Sequence, residues 1–89
     1  MARFDLTTEP SGPAAPRSIG ETMMERGLRL AAGSDGPADL VGAHMCFNIA
    51  DREGVEDAAY HRQAVAGELS KSELGAALRA ARSFLAGLA

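Results

Sequence analysis

The groups in this chain able to do chemistry are one thiol, two imidazoles, a guanidinium set in an apolar stripe, and two close pairs of carboxylates. Cys46 and His44 are the natural first pairing, since a thiol beside an imidazole can ionise and attack an electrophile. One residue separates them. On a helix, at roughly 100° per residue, that spacing turns them about 160° apart, so neither can serve the other. The apolar neighbours of Cys46 would raise its pKa and leave it inert, and cysteine is among the most buried residue types. His44 with His61 or Asp51 has no zinc-motif spacing, so His44 is expected to be a solvated histidine rather than a ligand.

The carboxylate pairs Asp51/Glu53 and Glu56/Asp57 fall at helix ends, where acids are commonplace, and do not read as a glycosidase-like dyad. A phosphate cradle needs a glycine loop between strand and helix, whereas Gly33–Gly36 lies between two helical segments. Arg62 sits within an apolar stripe between Ala58 and Ala66, which favours a structural role. Its stem covers apolar surface while its guanidinium bonds an acid or a helix-end carbonyl. The reading is therefore non-enzymatic, with no catalytic residue, cofactor or metal assigned.

These side chains must be held by helices, because no segment of 4–8 residues alternates as a strand does. A first helix is predicted over about 20–32. Its apolar arc runs through Ile19, Leu30, Met23, Gly27, Ala31, Met24 and Leu28 and is about 180° wide, where roughly 100° suffices to pack on one neighbour. Gly33 suits a left-handed C-terminal cap, and Asp39 can cap a second helix over about 39–52. That helix is apolar on two faces, Leu40/Ala43/Phe47/Ala50 and Val41/Met45/Ile49, leaving His44, Asn48 and Asp51 as its polar wedge. Gly54 closes it.

A third helix is expected over about 55–68. The fourth, about 71–88, begins with Ser70-x-x-Glu73, a sequence that lets each side chain bond the other residue's amide. Its stripe is Leu74, Ala77, Leu78, Ala81, Leu85 and Leu88, with Lys71, Arg79 and Arg82 opposite, a polar face that finishes this end of the molecule. Small residues at core positions (Gly27, Ala43, Ala50, Ala58, Ala59, Ala66, Ala77, Ala81) allow close helix approach.

At 89 residues the chain holds one domain, and a chain of this mass buries about 63% of its unfolded surface, enough for a marginally stable core. Nine Lys and Arg against twelve Asp and Glu give a net charge of −3, which argues against a nucleic-acid partner. No apolar run approaches the roughly 18 residues of a membrane span, and the opening residues have no apolar signal-peptide core. A lone cysteine fits a reducing compartment, so the expectation is cytoplasmic. Residues 1–18 hold three of the four prolines, with Phe4 and Leu6 as their large apolar side chains. They are read as a disordered Pro-rich tail.

The stretch MMERGLRLAAGSDGPADLVGAHMCFNIADREG resembles one Sel-one-like repeat, a relative of the tetratricopeptide repeat. Gly27 falls on that family's helix glycine and Leu30 takes the place of its tyrosine. Gly33 opens the loop, Asp39 starts the second helix, and Ala43, Phe47, Ala50 and Gly54 fall on its small and aromatic positions. Ser34-Asp35-Gly36-Pro37 departs from the usual loop, and Cys46 stands where the family usually has Trp. Residues 55–89 resemble the helical hairpin that caps such proteins, Arg62 included.

The resemblance implies an all-α fold: the repeat at 19–54 and the capping hairpin at 55–89, stacked as a short right-handed solenoid. It also implies adaptor or scaffold work, the matched positions being structural. Since repeats bury their cores by stacking on neighbours, the first helix is left open. Met23, Met24, Leu28 and Leu30 are the expected contact surface for another protein or a second copy of the chain, methionines suiting surfaces that repack. Alternatives are a linear motif in the tail (Phe4, Asp5, Leu6) on a helical base, or a small thiol-based regulator acting through Cys46.

Overall fold

The computed structural model describes residues 17–88, and over them the protein is all-α. Helix α1 spans Ile19–Ala32, α2 Leu40–Arg52, α3 Ala58–Ala66 and α4 Lys71–Gly87. The expected tail, with Phe4, Asp5 and Leu6, lies outside the described residues, except for Arg17 and Ser18. Ser18 belongs to α1: its hydroxyl accepts from Glu21 N–H while the Glu21 carboxylate accepts from Ser18 N–H. Ser70 and Glu73 make the same reciprocal pair at the start of α4, and Asp39 Oδ1 accepts from Gly42 N–H at the start of α2.

Both helices of the first hairpin end in one way. Gly33 and Gly54 sit at φ +70° and +85°, left-handed values that a side chain disfavours. Gly33 N–H and Ser34 N–H donate to Leu30 and Arg29 carbonyls, and Gly54 N–H and Val55 N–H donate to Asp51 and Ala50 carbonyls. Carbonyls left open at each helix end are thereby satisfied.

Helix α2 is the hub. The other three helices pack on it, and α3 and α4 meet through α2 more than they meet each other. Helices α3 and α4 therefore pack mainly on the hub. The cause is the size of the buried side chains. Ala58 of α3 and Ala81 of α4 share one cluster with Cys46, Ile49 and Ala50 of α2 and Met23 of α1, and alanines let both helices settle against the hub. A second cluster joins Ala43 and Phe47 of α2 to Val65 of α3.

The third helix begins at Ala58, not Val55. Val55 is spent on the turn that closes α2, where it packs against the core, and Asp57 stands at φ +71°, a value that breaks the helical path.

Candidate functional site

The fold offers chemistry or contact at one buried polar cluster and at two of its shallow surface grooves, those with an exposed leucine in their lining. The polar cluster lies where α3 packs on α2. His44 is only 2% exposed, which corrects its expected place in a solvated wedge. Its burial comes from helices packed on α2, whose approach the period of α2 alone does not reveal. Its Nδ1 has no hydrogen-bond partner, and neither does Arg62 Nε. Burial, and secondarily the Arg62 charge, push the His44 pKa below its usual value and favour the neutral imidazole. Arg62 Nη2 lies 3.4 Å from Asp51 Oδ2, an acid of the preceding helix. His61 stacks on the ring of Phe47 with centroids 5.3 Å apart.

Cys46 is fully buried in the core cluster. Burial raises its thiol pKa, Asp39 adds to the rise, and Arg26 opposes it. Among the described residues no group of three or more His, Cys, Asp and Glu is arranged to hold a metal ion, and no helix is long and apolar enough to cross a membrane.

Phe47 also explains Gly27. A β-carbon built at Gly27 would lie 2.6 Å from Phe47 Cε1, so the ring rests directly on the α1 backbone. Ala43 and Ala50 are fully buried beside it in the hub helix.

The four residues expected to form an open apolar face separate in the structure. Met23 is 9% exposed and belongs to the core, a correction to its place in the contact surface. The wide arc of α1 is partly consumed by α2, whose small residues let the two helices close tightly. Leu30 is half-buried and touches both clusters, so it too is mainly packing. Met24 is half-buried, and Leu28 is 43% exposed. These two, with Val55, line a groove of about 410 Å³ edged by Arg17, Glu21 and Glu25. Arg17 is ion-paired with Glu25.

The second groove, about 530 Å³, runs between α2 and α4. Leu78 and Leu85 form its apolar part and Arg52 and Arg82 its charged rim. Leu78 is 41% exposed and Leu88, near the same end, 51%. The α4 end is therefore not finished by a purely polar face. This groove is absent from the sequence reading because Arg52 and Arg82 are thirty positions apart and only the docking of α4 on α2 brings them together. Tyr60, on the outer face of α3, is 72% exposed.

No family model, curated protein or solved structure matches this chain.

Proposed function

We propose that this chain is a non-catalytic interaction adaptor of the cytoplasm, a short tetratricopeptide-like unit of the Sel-one-like type. It engages a protein partner through the α1 face centred on Leu28 and Met24. The observation that carries this reading is the groove of α1, where a leucine 43% exposed and a half-buried methionine lie side by side between charged residues. An apolar centre with a polar rim is the usual anatomy of an interface. The buried Cys46 and its raised pKa favour this reading over a thiol regulator.

The test compares the wild type with Leu28→Glu and with Met24→Glu/Leu28→Glu in affinity capture from the native cell extract. Circular dichroism checks that helix content is kept. A protein held by the wild type and lost from both variants is the expected outcome. Identical capture by all three removes the reading. Leu28→Glu alone guards against misfolding, because Leu28 is exposed while Met24 also touches the core.

A further inference from the structure

The two grooves differ in charge as they match in apolar character. The α1 groove is lined by Glu21 and Glu25 against a single cation, Arg17, a net charge of −1. Glu25 is paired with Arg17, and the Glu21 carboxylate also accepts from Ser18 N–H. The local balance is acidic. Helix α4 contributes Arg82 to its groove, whose lining holds no acid. Arg52 joins it from α2, and among the described residues neither Arg52 nor Arg82 is ion-paired. Each groove offers one prominent leucine, Leu28 at 43% and Leu78 at 41% exposure.

The grooves share no lining residue, and α2 separates them. Helix α1 packs over Ala50 and Phe47 of α2. Arg52 follows Ala50 by two positions, about 160° away around a helix, so the α4 groove opens on the side of the hub turned from α1.

We propose that the partner of the α1 groove is a second copy of this chain, docked head to tail by its α4 groove. This rests on the interaction reading above and names its occupant. Leu28 and Met24 of one copy meet Leu78 and Leu85 of the next, while Glu21 and Glu25 meet Arg52 and Arg82. Like-to-like pairing would set carboxylates against carboxylates, or arginines against arginines, which opposes a closed two-fold dimer. A contact between unlike faces leaves one groove open at each end and propagates.

The experiment is a complementation by sedimentation velocity. Wild-type protein should grow past a dimer as concentration rises and shrink again as salt screens the charges. One variant carries Glu25→Gln/Leu28→Gln and the other Leu78→Gln/Arg82→Gln, all at exposed or half-buried positions. Each alone should self-associate at least about tenfold more weakly than the wild type, because its one remaining competent groove finds no partner. Mixed together they should form a 1:1 dimer that grows no further, since each retains the groove the other lacks.

A monomeric wild type at all concentrations overturns the proposal, as does growth that stops at a dimer, or a mixture in which no dimer forms. Circular dichroism of both variants confirms the fold. Loss of self-association with retained, Leu28-dependent capture of another protein would reject the head-to-tail contact alone. Failure of both would reject the adaptor as well.

Discussion

Gly27 sits where the Phe47 ring leaves no space for a side chain. Replacing it with Ala places a methyl 2.6 Å from Phe47 Cε1, and relieving the clash displaces either the ring or the helix. Gly27→Ala should destabilise the fold by about 1–3 kcal/mol despite the better helix propensity of Ala. Urea denaturation reads this directly. Adding Phe47→Leu should recover part of the loss, so that the two effects are less than additive. His44 makes the fold sensitive to acid. Its folded pKa lies below that of the unfolded chain, about 6.5, so the unfolded state binds the extra proton first as pH falls. Stability should be full above pH ~6.5 and drop as pH passes below that value. The groups facing His44 include the Arg62 guanidinium, which opposes its protonation, with Asp51 beyond it on the arginine. Thermal melts at pH 7.5 and 5.5 should separate for the wild type and converge for His44→Asn. An unchanged gap between the melts in that variant would exclude His44 as the source.

At the scale of the element, two of the four helices among the described residues start with a reciprocal Ser/Glu cap. Ser18→Ala and Ser70→Ala should each reduce stability by about 1 kcal/mol, measurable as a shifted urea midpoint with an unchanged slope. The Ser70 cap stands out in the sequence because an apolar stripe follows it. The Ser18 cap carries the same Ser-x-x-Glu signal, but it follows directly on a proline-rich stretch, so composition groups Ser18 with the tail whereas its hydrogen bonds tie it to α1. Helix α3 is the weak element. It has nine residues, and its preceding Asp57 makes no side-chain cap bond. Apolar spacing alone extends it back to Val55, because periodicity does not distinguish a residue packed from a helix from one packed from a turn.

At the scale of the whole molecule, three helices around one hub make a small core that neighbours can reinforce. Association binds the folded state, so the head-to-tail contact should make the melting temperature rise with protein concentration. The Glu25→Gln/Leu28→Gln variant should show a flat dependence over the same range. A wild-type melting temperature independent of concentration would count against copies meeting at these grooves.

Helix identity, the glycine stops and the capping residues are local properties, settled by neighbours within a few positions along the chain. Ser-x-x-Glu at residue 70, Gly33 and Gly54 are therefore readable from the amino-acid order. Which part of a wide apolar arc is core and which is surface depends on where another helix lands. Met23 and Leu28 have the same sequence credentials, and only the docking of α1 on α2 buries the first and exposes the second. His44 and the Arg52/Arg82 groove obey the same rule. Their surroundings are built from residues distant in the chain, and burial and electrostatic environment act through space.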